Sequence, residues 1–368
     1  MKRIFIVLTV FFLIAMASIA TLNLPVFGKQ PSGERLERIK LSPNYRDGAF
    51  QNLSFTPALA EDANFFGVVT EFIFGKSKRS RPTGTIPSTK INLHELNRGE
   101  DVLVWFGHSS YFMQIGGVRM LVDPVFSGNA SPFSFAAKAF IGTERYTAGD
   151  IPEIDILLIT HDHYDHLDYK TVTALRPKIK KVVTGLGTGE HLEHWGYPGN
   201  IITELDWYES LAMDHGLVLH STPARHFSGR LFKRNQALWT SFVLQTPGMQ
   251  IFIGGDSGYD THFAEIGRKY GPFDLAILEN GQYNKGWKYI HMMPDELLRA
   301  ATELNVKRLM PVHSGKFVLA NHAWDEPLRL LVENNKAVGM GLVTPIIGEA
   351  VQLSDTLRVF DAWWEGVN

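Results

Sequence analysis

The segment His161-Asp162-His163-Tyr164-Asp165-His166 places three imidazoles and the carboxylate of Asp165 within six residues, directly after the apolar run from Ile154 to Ile159. A strand that delivers H-x-H-x-D-H into a tight loop is a metal-site architecture. Histidines two residues apart reach one small cation, and the aspartate and third histidine reach a second beside it. Two neighbouring cations activate a shared water, so the expected chemistry is hydrolysis. A histidine-rich surface loop that collects metal by accident would need no partners elsewhere. Here matching side chains recur downstream: His226 after Leu217–Thr222, Asp256 after Ile251–Gly255, and His313 after Arg308–Val312. Each follows a short apolar run, as expected when successive strand ends assemble one site.

These residues and their neighbours carry a resemblance. Trp105-Phe106-Gly107-His108-Ser109-Ser110, Leu121-Val122-Asp123-Pro124-Val125-Phe126-Ser127, the H-x-H-x-D-H loop with Leu167-Asp168, Thr222-Pro223-Ala224-Arg225-His226, Gly254-Gly255-Asp256-Ser257-Gly258-Tyr259 and Pro311-Val312-His313 run in order from about Asp101 to Gly348. The chain resembles a metallo-β-lactamase-fold hydrolase. Within that superfamily it is most similar to the N-acylphosphatidylethanolamine phospholipase D-like branch, through Asp-Pro-Val-Phe-Ser, Gly-Asp-Ser-Gly-Tyr and the stretch from Asn235 to Trp239. The resemblance implies an α/β fold of the αββα four-layer sandwich type. It also implies that His161, His163 and His226 hold a first metal, that Asp165, His166 and His313 hold a second, and that Asp256 bridges them. His291 matches a histidine that contacts the substrate phosphate in the resembled phospholipases, and Asp165 is the expected proton donor to the leaving group. His108 and Asp123 suit supporting positions around the ligands.

Cysteine is absent. Thiolate ligands, disulfides and lipid attachment at cysteine are therefore excluded. A site of imidazole and carboxylate suits two Zn2+ and leaves Mn2+ or Fe2+ open. A formal charge of -2 argues against a nucleic-acid partner. The cluster Lys76–Arg81 is a local exception, read as a solvated loop or as a patch facing anionic phospholipid.

Residues 1–24 begin Met1-Lys2-Arg3 and continue as an almost uncharged apolar run, the pattern of a signal peptide or membrane anchor. Small residues at Ala15, Ala17, Ser18 and Ala20 favour cleavage, whereas the length of the run favours retention. The charge rule leaves the orientation open, since Lys29, Arg35, Arg38 and Lys40 follow the run while Lys2 and Arg3 precede it; the body is expected outside the cytoplasm, in the periplasm where a cell has one. Residues 25–100 are rich in Pro, Gly, Ser and Asn and read as an arm packed on a catalytic domain at 101–368. Within the arm, Phe65-Phe66 and Phe72-Ile73-Phe74 are expected to anchor it to the core, the alternative being a membrane-facing or substrate-facing surface. The apolar insertion between Ser127 and Gly149, with Phe133, Phe135, Phe140 and Ile141, is either a lipid-contacting lid or a packed helix.

The remaining histidines have individual expectations. His94, His191, His194, His215, His220 and His262 are assigned to solvated or hydrogen-bonded surface positions, and His322 to the neighbourhood of the pocket. Arg225, Arg230, Lys233 and Arg234 surround His226 and read as a solvated loop or an anion-recognition site. Taken together, the expected function is a zinc-dependent phosphodiesterase acting on a phospholipid at a membrane surface. A lactonase-type hydrolase of a soluble ester keeps the same site. A membrane-tethered binding protein would use metals only to hold its loops.

Overall fold

The computed structural model describes residues 2–230 and 232–367. The amino-terminal arm carries α1 (Lys2–Leu22), α2 (Gly33–Lys40), the short strands β1 (Tyr45–Arg46) and β2 (Ala49–Phe50), and α3 (Phe65–Phe74). Then follow β3 (Val102–Trp105), β4 (Tyr111–Ile115), β5 (Val118–Val122), β6 (Ile154–Ile159), α4 (Tyr169–Leu175), β7 (Ile179–Gly185), α5 (Gly189–His194) and β8 (Ile202–Leu205). The second half comprises β9 (Ser210–Ala212), β10 (Val218–Thr222), β11 (Ser241–Gln245), β12 (Gln250–Ile253), α6 (His262–Tyr270), β13 (Leu275–Glu279), α7 (Glu296–Glu303), β14 (Arg308–Val312), α8 (Glu326–Val338), β15 (Gly341–Leu342) and β16 (Ala350–Gln352).

The strands pair into two sheets, ordered β16-β3-β4-β5-β6-β7-β8 and β15-β14-β13-β12-β11-β10-β9. Each is antiparallel on one side and parallel on the other. Strand alternation then fixes the layers. Leu103, Trp105, Met113, Met120 and Leu158 meet Phe242, Leu244, Ile253, Ile277 and Met310 between the sheets. The intervening Val102, Val104, Phe112, Leu121 and Leu157 turn outward onto Val172, Leu175 and Leu192 of α4 and α5. On the other side Phe252, Ala276 and Leu278 pack on Phe263, Ile266, Leu297 and Leu331 of α6, α7 and α8, with Leu304 just past the end of α7. This is the four-layer αββα sandwich expected from the sequence.

The arm is held by specific anchors. Ile39 and Phe50 are buried with Leu186, Trp207, Leu238 and Trp239, and Arg35 pairs with Glu190, Glu193 and Glu204 at 2.8–2.9 Å. The aromatic patch at Phe65–Phe74 behaves differently from expectation: it forms α3, capped by the Asn64 side chain, and none of its residues is buried. The arm's buried anchors come instead from Ile39 of α2 and Phe50 of β2. The insertion at 127–149 forms no α-helix and does not line the cavity beside the site. Phe140 is buried between the sheets, while Phe133 and Phe135 stack on each other, with Phe27 edge-on to Phe133. Counting only described residues, no helix is long and apolar enough to cross a membrane.

Lys316, on the loop after β14, is buried and joins the two halves at the metal-loop end. Its Nζ donates to Phe106 O at 3.2 Å and Val125 O at 2.9 Å. Burial pulls its ammonium down to about 8, against 10.5 for an exposed lysine. Between those values the unfolded chain binds a proton that the folded chain does not, so Lys316 contributes more stability as pH rises through the window. The stability difference between wild type and Lys316→Met, from thermal or denaturant unfolding, is expected to move in favour of wild type from pH 8 to 10.5, by on the order of 3 kcal/mol at most. A flat difference would show that the amine stays charged.

Candidate metal centre

The strand ends bring all seven proposed ligands together. β6 ends at Ile159 and releases the H-x-H-x-D-H loop, β10 leads to His226, β12 to Asp256 and β14 to His313. The Gly-Gly before Asp256 is a spatial requirement: a Cβ on Gly254 would stand 2.7 Å from Ile277 O, and one on Gly255 would stand 2.8 Å from Thr240 O. Only glycine lets the backbone pass between those strands and carry the carboxylate to the centre. His108, Asp123 and His313 all hold positive φ, at 54°, 42° and 66°. For non-glycine residues this costs of order 1 kcal/mol or more each, and the strain is held by the packed site around them.

Among the described residues three overlapping donor groups could hold an ion, the third made of Asp256, Glu279, His291 and His313. In the first, His161 Nε2 lies 2.9 Å from His163 Nδ1, His226 Nε2 lies 3.2 Å from the same atom, and Asp256 Oδ2 is 3.7 Å from both Nε2 atoms. In the second, His166 Nε2 faces Asp256 Oδ1 at 3.2 Å and Asp165 Oδ2 at 3.5 Å, with His313 Nδ1 3.1 Å from Asp256 Oδ1. Asp256 thus has one oxygen toward each of these two groups. His166 Nε2 and Asp256 Oδ1 are buried with no hydrogen-bond partner, a state that costs a few kcal/mol for a polar atom unless a cation completes it.

Electrostatics favour a cation here. Burial, reinforced by neighbouring imidazoles, holds His161, His226 and His313 well below the usual histidine range. Burial likewise lowers His163, to about 4. These rings are neutral and present lone pairs. For His166 burial works downward, but the carboxylates of Asp256, Asp165 and Asp123 overcome it and hold the ring well above its usual range. The centre therefore attracts positive charge. The donor set, imidazole and carboxylate only, fits two divalent ions of the borderline kind.

A second ring of contacts orients the donors. His166 Nδ1 meets Asp123 Oδ2 at 2.7 Å, and the Thr160 hydroxyl donates to the same oxygen at 2.6 Å while lying 3.0 Å from His161 Nδ1. His226 Nδ1 faces Ile290 O at 2.8 Å. His108 Nε2 lies 2.9 Å from Asp165 Oδ2, and its backbone carbonyl accepts from His313 N. Asp123 thus takes the supporting position expected of it, while His108 both steadies Asp165 and offers a ligand atom beside those of His166 and His313.

Several functional contacts were missed by sequence reasoning. Glu279, at the end of β13, has Oε2 2.6 Å from His291 Nδ1 and accepts from Met292 N at 2.6 Å through Oε1. It turns the other edge of His291 to the cavity; only its place at a strand end hinted at this. Asp162 accepts from Gly229 N at 2.7 Å and lies 3.3 Å from His191 Nε2. His191 and His262 are buried, not at the surface, because each sits on an inward helix face where a polar partner awaits: Asp162 for His191 and Ser257 for His262. Arg230 is also buried, donating to Asp162 O and Leu167 O, which replaces the solvated loop expected there. His322 accepts from Gln282 N and supports a cavity wall.

The donors floor a cavity of about 620 Å³. His163, Asp165, His226, Asp256, His291 and His313 lie at its base. Phe65, Val69, Phe72, Phe227, Trp287 and Leu319 supply apolar walls, and Arg234 lies among them with its guanidinium over Phe227. The apolar wall thus comes from α3 of the arm and not from the 127–149 insertion.

Residues 118–314 match the model of the beta-lactamase superfamily domain. An uncharacterised protein of Mycobacterium tuberculosis is 38% identical over 327 residues, 88% of this chain and 87% of that protein. The N-acyl-phosphatidylethanolamine-hydrolyzing phospholipase D 1 of Caenorhabditis elegans is 29% identical, over 74% of this chain and 81% of its own. Among solved structures, the metallo hydrolase Igni18 from Ignicoccus hospitalis shares the fold with a TM-score of 0.53 at 21% identity, covering 68% of this chain and 97% of that one.

Because Asp256 serves both groups, Asp256→Ala is expected to lower bound metal from about two ions per chain to less than one, and to abolish activity with it. Elemental analysis of purified protein is the measurement. An active preparation holding only trace metal would reject the dinuclear reading.

Proposed function

From the premise that this chain belongs to the metallo-β-lactamase superfamily and carries the buried His/Asp site of a metal-dependent hydrolase, we propose that it is a phosphodiesterase that cleaves a phospholipid of the N-acylphosphatidylethanolamine class. The observation that carries the reading is the joining of an apolar-walled cavity to a charged floor. Acyl chains gain by contact with Phe65, Phe72 and Trp287, at about 25 cal/mol per Å² of apolar surface removed from water, while the phosphate reaches the donors below. The name and coverage of the nematode relative support the same substrate class.

His161, His163 and His226 would hold one ion, Asp165, His166 and His313 the other, with Asp256 between them. Two divalent ions, when bound, supply Lewis acidity toward phosphate and a water that is readily deprotonated. The chain's own residues supply orientation. His291, fixed by Glu279, is placed to donate a hydrogen bond to a non-bridging phosphate oxygen. Asp165, steadied by His108, is assigned to take the proton that the attacking water gives up and pass it to the departing head-group oxygen. Water adds to phosphorus, the bond from phosphorus to that oxygen breaks, and phosphatidic acid and a head-group alcohol result.

Metal-loaded protein is to be given N-acylphosphatidylethanolamine vesicles, a soluble phosphodiester, a lactone and a chromogenic β-lactam in parallel. Phosphatidic acid is expected from the vesicles. His291→Ala is expected to lower the rate by about 10²-fold with metal retained, and Glu279→Gln by less. Turnover of the lactone with no release from any phospholipid would establish the lactonase alternative instead. Metal-loaded protein inert toward all four would favour the binding protein.

The amino-terminal run and its basic flank support a body held outside the cytoplasm. A reporter active only outside the cytoplasm, fused after Asn368, is expected to give signal. A reporter that works only inside would reverse the orientation.

A further inference from the structure

We propose that α3 and the basic segment behind it, residues 65–81, form the surface through which the protein docks on an anionic phospholipid bilayer, setting the mouth of the cavity against the membrane. The proposal deepens the phospholipid reading and rests on it for the meaning of the cavity, though not for the surface itself.

Successive residues of a helix turn by about 100°, so Phe65, Val68, Val69 and Phe72 share one face. That face lines the cavity. Phe66 and Ile73 lie on the adjoining arc and Phe74, the last residue of the helix, on the side away from the cavity; none of the three lines it, and they are 80%, 58% and 81% exposed. The helix is therefore apolar both toward the site and toward solvent, which is unusual for an exposed element and marks an interaction surface. It is also well fixed. Gly67 N donates to Asn64 Oδ1 at 2.8 Å, and Asn284 Nδ2 donates to Glu71 Oε1 at 2.9 Å. Ser77 N donates to Asn321 O, and Arg79 pairs with Asp325. A rigid helix that keeps large aromatics in water holds them for a partner.

Charge indicates which partner. Lys76 and Lys78 are exposed immediately after the helix, and Lys76 Nζ stands 4.4 Å above the Phe72 ring. Of the nearby carboxylates, Glu71 is tied to Asn284 and Glu61 to Lys288 and Tyr289, while Asp62 lies at the opposite end of the helix from the lysines. Aromatics at interfacial depth flanked by lysines match an anionic leaflet. The surface is continuous with the cavity wall, so a lipid leaving the bilayer along α3 remains on apolar contacts until its phosphate reaches the floor.

The chain has no cysteine, so single labels are clean. Full-length Phe66→Cys, Phe74→Cys and, as control, Asp214→Cys are each to carry an environment-sensitive fluorophore. Asp214 precedes β10, whose far end leads to His226, and so lies at the other end of the sandwich. Vesicles of phosphatidylglycerol and phosphatidylcholine, with no N-acylated lipid, are then added. So that retention through the apolar amino-terminal run is not mistaken for docking, the readout is label burial and not binding. A blue shift with protection from an aqueous quencher is expected at 66 and 74 and not at 214. Lys76→Gln with Lys78→Gln is expected to weaken that response about 25-fold on anionic vesicles, roughly fivefold per lysine. Hydrolysis of a soluble diester by the Phe66 and Phe74 variants should be unchanged.

Labels at 66 and 74 that stay aqueous on vesicles retaining the protein would overturn the proposal, as would a shift produced by raising protein concentration without vesicles, which would make a second copy the occupant. Insertion without cleavage of any phospholipid supports docking and removes the substrate reading. Cleavage without insertion does the reverse.

Discussion

Everything else in this molecule is arranged around the buried carboxylate of Asp256. One of its oxygens faces His161 and His226, the other His166 and His313. Burial raises its carboxyl to about 6, because a lone carboxylate away from water is costly unless positive charge compensates it. A fold that carries such a group to its centre needs cations there. The sandwich provides the place: loops from both sheets meet where β6, β10, β12 and β14 end, and the packed core below resists their collapse. The two halves are joined beside the donors by Lys316 and by the backbone of His108, which bonds to Ser314 and His313.

Much of the centre could be read from the chain because its physics is local. A short apolar run followed by a histidine or aspartate needs no tertiary knowledge, and the close spacing of His161, His163, Asp165 and His166 narrows the geometry further. Gly254 and Gly255 were likewise informative, since the crowding that excludes a side chain leaves a sequence signature. The helical spacing of apolar residues is legible at Tyr169–Leu175 and from Glu326 to Asn334, and the second helix runs on to Val338.

What could not be read depends on distant partners. Glu279 looks like the last residue of an ordinary strand until His291 arrives from another loop. His191 and Arg230 look solvated until Asp162 is seen to need them. The strands β8, β9, β15 and β16 are short, and pairing, not periodicity, defines them. Phe140 and Phe66 are alike in the chain, each among small or apolar neighbours, yet one is buried between the sheets and the other faces water. Composition gives an aromatic residue its hydrophobic drive; topology decides whether anything is near enough to satisfy it.

The arm then reads as part of the site. Asn52 grips His226 from both sides, its Nδ2 donating to the backbone carbonyl and its Oδ1 accepting from the backbone amide. Arg230, which holds the carbonyls of Asp162 and Leu167, also bonds Val26 O, and Trp195 donates to Pro25 O. The chain just after α1 is thereby fastened to the loop bearing His161 and His163, and the chain just before α3 to the loop bearing His226. Movement at either fastening therefore shifts the donors on that loop. An arm tied down for that purpose comes out beside the cavity, and α3 is where it crosses the mouth. The residues that steady the donors and those that offer an apolar approach are thus consecutive parts of one strap, so access to the floor and the geometry of the floor are coupled through the same chain.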